Sequence, residues 1–245
     1  MSKLKWIFIA LVAVMVIPSC FIDVDDDDGF FGCVNGQGPV VTETLNLPSF
    51  SGVELNMSAR VFIKQGPEQE VTIEAQENII DEIDRNVSND VWEIDVDGCI
   101  RDHSNITVFI TMPDIRSLKI SGSGEMISEN VLIVNDIEMN ISGSGDMDIA
   151  LEADDIDSRI SGSGTIRLEG IADELDLEIS GSGDYKAFDL ESRIAFVEIR
   201  GSGDAELTVT DELNVSIAGS GDVFYKGNPS LNVQISGSGQ VIDAN

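Results

Sequence analysis

Basic residues are scarce in this chain. Only 14 Lys and Arg stand against 45 Asp and Glu, a formal charge of −31 over 245 residues. A field of that sign repels the phosphates of nucleic acid and of anionic lipid, so neither is expected as a partner. Acidic sugars lack the basic side chains that would receive them. Histidine is nearly absent: His103 is the single copy, and within Arg101-Asp102-His103-Ser104-Asn105 it reads as a polar loop residue. No phosphate loop, zinc-ligand spacing or nucleophile elbow occurs, and no cofactor, metal or catalytic residue is expected. Cysteine is limited to Cys20, Cys33 and Cys99. Long apolar runs are also missing, apart from Trp6 to Ile17. Those twelve residues would make a helix of roughly 18 Å, too short to cross a hydrocarbon core of roughly 30 Å. No segment has a convincing helical period.

The apolar run follows Lys3 and Lys5 and precedes Ser19-Cys20, the layout of a secretory signal over residues 1–19. The small residue followed by cysteine resembles the bacterial lipobox. That resemblance implies lipid attachment at Cys20; the alternative is a soluble exported protein cut nearby. Phe21 to Gly29 includes five aspartates, too much like charge to pack, and reads as a solvated tether within residues 20–39. It is similar to the acidic stretch that sends some Gram-negative lipoproteins to the outer face of the outer membrane. A spacer facing the periplasm is the competing reading. With Cys20 acylated, Cys33 and Cys99 remain as a candidate disulfide, provided their Cα atoms approach within about 7 Å.

What the chain has in abundance is a repeat. Gly-Ser-Gly occurs seven times, at intervals of 21, 19, 19, 20, 18 and 18 residues. Its glycine pairs are Gly122/Gly124, Gly143/Gly145, Gly162/Gly164, Gly181/Gly183, Gly201/Gly203, Gly219/Gly221 and Gly237/Gly239. All fourteen are expected at corners, where the backbone needs either a positive φ or close approach to its neighbour. Two residues before each tract stands an isoleucine: Ile120, Ile141, Ile160, Ile179, Ile199, Ile217 and Ile235. Apolar residues also fill the position four before the tract, except at Ser158, and the position four after it. The intervening residues are mostly polar, which is the period of a half-buried strand. Each unit is therefore expected as strand, glycine corner, strand and a looser return that absorbs the differences in length. A period near 20 residues marks a solenoid, whose units bury their apolar faces only against each other.

The expected fold is an all-β, right-handed parallel β-helix-like solenoid, with the isoleucines stacked as an interior ladder. Residues 40–245 form one domain. Within it, residues 40–116 are an irregular β-patterned half that continues and caps the sheet, and residues 117–245 are the seven repeats. The tract is followed by an acidic residue in five units: Glu125, Asp146, Asp184, Asp204 and Asp222. One carboxylate per coil falls short of the six to eight oxygens calcium takes, so this row reads as a solvated flank.

Phe50-Ser51-Gly52-Val53, then Arg60-Val61-Phe62-Ile63-Lys64-Gln65-Gly66, then serial Ile-Ser-Gly-Ser-Gly units resemble the putative auto-transporter adhesin, head-GIN domain family, over roughly residues 45–240. The resemblance implies a β-helix-like fold and an envelope location, with no established binding residues. The expectation is a non-enzymatic, lipid-anchored surface adhesin or scaffold for a protein or glycan ligand, with weak self-association through its strand edges. The alternatives are a periplasmic protein that contacts a protein partner and, behind it, a carbohydrate-active β-helix enzyme.

Overall fold

The structure, a computed structural model, describes residues 32–96 and 98–245. The signal over residues 1–19, the lipid site at Cys20 and the acidic block ending at Gly29 lie outside the described residues. The chain is a β-solenoid of about seven turns. Among the described residues, the one α-helix is the single turn Glu77–Ile80.

The repeats stack in parallel and in register. Ile120 pairs with Ile141, and the row continues through Ile160, Ile179, Ile199, Ile217 and Ile235. The first six side chains are fully enclosed, in line with the period-two pattern of each unit. Ile235 departs from the expected interior ladder: it is 41% exposed. Among the described residues, its strand Ser230–Gly237 pairs on one side only.

The glycine pair explains why the motif keeps one form. In the second glycine of each tract the cause is close approach, not a positive φ. A Cβ on Gly145 would lie 2.6 Å from Cγ2 of Ile120 and 2.7 Å from the carbonyl oxygen of Gly124. Gly164 meets Ile141, Gly183 meets Ile160 and Gly203 meets Ile179 in the same way. The isoleucine of one coil thus occupies the space that the glycine of the next coil leaves free. Toward the end of the column that contact loosens. A Cβ on Gly221 would stand 3.0 Å from Cγ2 of Ile199, and one on Gly239 would stand 2.9 Å from Cγ2 of Ile217. At these two positions, as at Gly164 and Gly203, the tighter obstacle is backbone, the carbonyl oxygen of Gly203 for Gly221 and that of Gly221 for Gly239. Their own N–H groups also reach the coil beneath, donating to the Gly201 and Gly219 carbonyls at 3.3 Å. Neither Gly221 nor Gly239 has the positive φ that a corner can demand, and neither belongs to a strand.

The first glycine has a different cause. Gly143 has φ +139°, and a Cβ there would come within 2.5 Å of the Gly122 carbonyl oxygen below it. That oxygen accepts a hydrogen bond from the Ser144 N–H at 2.9 Å, and the same bond recurs at each later corner. Gly122 does not share the constraint expected of it. Its φ lies outside that region and its nearest neighbour is 3.9 Å away, because the coil beneath supplies Asn56 and Met57 instead of a glycine corner.

The returns are not loose. Asp146–Gly162, Thr165–Gly181 and Asp184–Gly201 are continuous strands of 17, 17 and 18 residues. Leu151, Gly170 and Leu190 are paired in register through the segment where a loop was expected. Backbone pairing between coils satisfies the N–H and C=O groups that a loop would leave to water. Differences in unit length are taken up by register shifts, between Arg167 and Glu169, between Ala187 and Glu191 and, in the opposite sense, between Ser192 and Ile194. At the second, Thr208 donates its hydroxyl to the Phe188 carbonyl at 2.8 Å, and Ser192 donates to the Thr208 carbonyl at 3.2 Å.

The N-terminal half continues the column, but out of chain order. Gly52–Leu55 lies between Val91–Ile94 and Ser117–Ile120, parallel to both. Arg60–Gln65 likewise lies between Thr107–Met112 and Glu125–Ser128. The interior row therefore extends beyond the repeats, from Ile94 through Leu55 to Ile120. Glu70–Gln76 then pairs antiparallel with Thr107–Met112, and Val40–Leu45 pairs antiparallel with Glu70–Gln76. Buried Ile79, Ile80 and Ile83 close this end beside Trp92, whose indole N–H donates to the Asp84 carbonyl at 3.0 Å.

The tether expected over residues 20–39 stops short of residue 39. Cys33 is buried and joined to Cys99, with Cα atoms 4.4 Å apart. Val34–Asn35 pairs with Ile100–Arg101.

Ser158, the one polar residue four before a tract, faces the interior. Its hydroxyl lies 3.3 Å from that of Tyr185, which is wholly buried and held above the ordinary tyrosine pKa by that burial. Ser192 is the other buried polar side chain of the described repeats, and it is satisfied by the Thr208 carbonyl. Tyr185→Phe strands the Ser158 hydroxyl and costs about 1 kcal/mol, whereas adding Ser158→Ala returns most of that loss. Thermal melts of the two single variants and the double variant check it. Gly164→Ala forces a methyl group against Ile141 and the Gly145 carbonyl; we expect a loss of about 3 kcal/mol, read as a Tm lower by about 6–12 °C.

Candidate binding face

Outward side chains before each corner form straight rows, because successive coils are in register. Seven residues before the tract stand Asp136, Asp155 and Glu174, and five before it stand Glu138, Asp157 and Asp176. Neighbours within a row are about 4.8 Å apart, the spacing of strands. These six carboxylates flank an open groove of about 660 Å³ whose far wall includes Gln65, Asp114 and Ile133. That is within the usual size range of small-molecule sites.

The groove wall is held by amides. The Gln65 side chain donates to the carbonyls of Pro113 at 3.1 Å and Ile133 at 3.0 Å, and accepts from the Ile133 N–H at 2.7 Å. Asn130 exchanges hydrogen bonds with the Gln65 backbone. One side chain thereby fixes the segment that leads from the irregular half into the repeats.

Charge on the face is only partly balanced. Lys119 pairs with Glu138 at 3.0 Å, and Arg159 pairs with Asp157 at 3.0 Å and reaches Glu178 at 3.7 Å. Arg200 pairs with Glu178 and, at 2.6 Å, with Glu198. Burial pushes the Glu138 carboxyl up. Hydrogen bonds from Lys119 and Asn140, with the charges of Lys119 and Arg159, outweigh it and hold the group below its ordinary range. Asp176 goes the other way, raised by burial and then by the Asp157 charge, against a weaker opposing effect of Arg159. The face can receive hydrogen-bond donors or cationic groups and turns away carboxylated and sulfated ones.

The acidic row after the corner does something else. Asp204 accepts the Asp222 N–H at 2.8 Å, and Asp222 accepts the Gln240 N–H at 2.8 Å. Glu125 pairs with Arg60 at 2.7 Å. These carboxylates tie one coil to another, and they lie outside the groove. His103 is in a loop, its Nδ1 2.7 Å from the Ser104 carbonyl. The groove carboxylates are not evident from the tract itself, because only three of the seven units carry them. Their signal was present, since three consecutive units are acidic both seven and five residues before it. What the repeat lacked was the far wall, which comes from residues 65 and 114.

Residues 49–229 match the family described as "Putative auto-transporter adhesin, head GIN domain". A solved putative adhesin from Bacteroides fragilis superposes with a TM-score of 0.79 at 21% identity, covering 85% of this chain and 98% of that one. A solved putative lipid binding protein from Parabacteroides distasonis gives 0.72 at 23% identity, over 86% and 99%. A putative adhesin from Parabacteroides merdae gives 0.69 at 22% identity, also over 86% and 99%. No curated protein matches the chain. At these identities the likeness shows the fold.

Because Asp176 holds its proton more tightly when folded, its ionised form weakens the fold above the raised pKa. The penalty vanishes as pH falls below the ordinary value of 3.8. Asp176→Asn should raise Tm at pH 7 by about 1–2 °C, a small effect because the carboxyl is only partly buried and largely screened. The gain should shrink with added salt and disappear near pH 3 in melts across pH.

Proposed function

The chain belongs to the putative auto-transporter adhesin, head GIN domain family, and from that premise we propose that it is a non-enzymatic binding scaffold of the cell envelope. In this reading lipid on Cys20 holds it to the outer membrane and the acidic residues after Cys20 keep the column clear of the lipid headgroups. The solenoid then presents its groove face outward. The observation that carries the reading is the construction of that face. Six carboxylates are set at fixed spacing on strands locked in register, beside a groove whose wall is pinned by Gln65. A surface held this rigidly loses little conformational entropy when a ligand docks. Its charge favours a protein or glycan that brings hydrogen-bond donors or positive charge and disfavours anionic polymers.

Two measurements on producing cells test this. Labelled palmitate should enter the protein and be lost in Cys20→Ala, which should leave the membrane fraction. Protease added to intact cells should release the solenoid by cutting ahead of Cys33. Protection until the outer membrane is permeabilised would place the protein in the periplasm instead, and unchanged labelling of Cys20→Ala would remove the anchor.

A further inference from the structure

The two ends of the column differ. The end at Val91–Ile94 is closed by the hairpin strand Val87–Ser88, by Trp92 and by Ile79, Ile80 and Ile83. Among the described residues, the other end carries no such cover. Its last full strand, Ser230–Gly237, pairs with Ala205–Gly219 on one side, and every residue in it is exposed. Leu231, Val233 and Ile235 are 46%, 41% and 41% exposed. They continue the inward rows of Leu213, Val215 and Ile217, all buried.

The same three residues carry the free backbone. Ser238 donates its N–H to the Gly219 carbonyl at 2.8 Å. Along a strand alternate residues point their N–H and C=O groups to the same neighbour, so those of Gln234 and Ser236 also face Ala205–Gly219. The groups of Leu231, Val233 and Ile235 then point away from the column. An open edge of this kind is a template for pairing, and natural proteins commonly guard it with charge. Here the guard is missing. Sixteen consecutive residues, Gly227 to Ile242, contain no Asp, Glu, Lys or Arg in a chain of net charge −31.

We propose that this end is a self-association surface, where the strand Ser230–Gly237 pairs antiparallel with the same strand of a second copy. Like-charged copies repel wherever their acidic faces meet, and the charge-free coil is the place where they approach without that cost. A two-fold axis sets the strand against itself, joins the free N–H and C=O groups and covers Leu231, Val233 and Ile235 in both copies. A two-fold contact uses the same surface of both copies, so the assembly stops at a dimer. Two groove faces then lie on one rigid double-length column, which gives a divalent ligand two sites at fixed separation.

Sedimentation velocity on the 245-residue chain tests the proposal over a concentration series at low and high salt. A monomer–dimer equilibrium should appear and tighten with salt as the residual repulsion is screened. Val233→Asp puts a charge on a position open to water in the monomer and buried in the dimer. It should weaken dimerisation by more than about tenfold while Tm stays unchanged. Asn232→Asp, which leaves the apolar row intact, should weaken it in the same direction. Ile171→Asp, at a 54% exposed position on the side of the column, should leave it alone. A monomer at all concentrations up to about a millimolar overturns the proposal, and is what a strand end covered by another part of this chain would give. Equal association of the Val233→Asp and Ile171→Asp variants, or growth beyond the dimer, overturns it as well.

Discussion

One contact repeats from coil to coil and everything else is arranged around it: an isoleucine methyl group filling the space beside the second glycine of the next coil. It is a steric constraint before it is an energetic one. Either partner enlarged pushes two backbones apart, and the hydrogen bonds at the corner go with them. Because each coil touches only its neighbours, this contact sets the register of the pair and, through the pair, of the column. A slip of one residue would turn every apolar side chain to water. Dispersion and the hydrophobic effect supply the stabilisation, but the glycine and the isoleucine decide which alignment receives it.

Register is also what turns a set of outward residues into a surface. Single carboxylates on a flexible chain would spread apart under mutual repulsion. Held on paired strands, Glu138, Asp157 and Asp176 stay in line at a spacing the backbone dictates, with Lys119 and Arg159 relieving part of the repulsion. The opposite behaviour of Glu138 and Asp176 follows from their places in that lattice. One sits among cations and amide donors, the other beside the Asp157 charge. Further along the same row the acidic residues give way to Phe196, Asn214 and Asn232. Charge therefore falls along the column toward the open end.

Much of the fold was legible because the repeat carries its own alignment. Six of the seven isoleucines are where the period-two pattern puts them, and the exception, Ile235, shows the limit of the pattern. A sequence period says which way a side chain points within its coil, not whether another coil follows. The glycines show the same limit. One tract looks like the next on paper, yet Gly122 is unconstrained, because the coil beneath it supplies Asn56 and Met57 instead of a glycine corner. The returns were harder to read. Their alternation is interrupted by Asp154-Asp155 and by Gly170, which look like turn residues until the neighbouring backbone is present to pair with them. The groove was half visible, as an acidic spacing before the tract.

The sequence by itself determined the coil: its length, its inward and outward faces, its glycine corners and the overall sign of its charge. Those are local properties, written in spacing and residue type. Only the tertiary structure decided the order of coils in the N-terminal half, where Gly52–Leu55 lies between two strands that both follow it in the chain. It alone decided that Gln65 would meet Ile133 to wall a groove, and that one end would be closed while the other stayed open. Each depends on which strand edges remain unpaired once the others have joined, a competition between distant segments that no local spacing records.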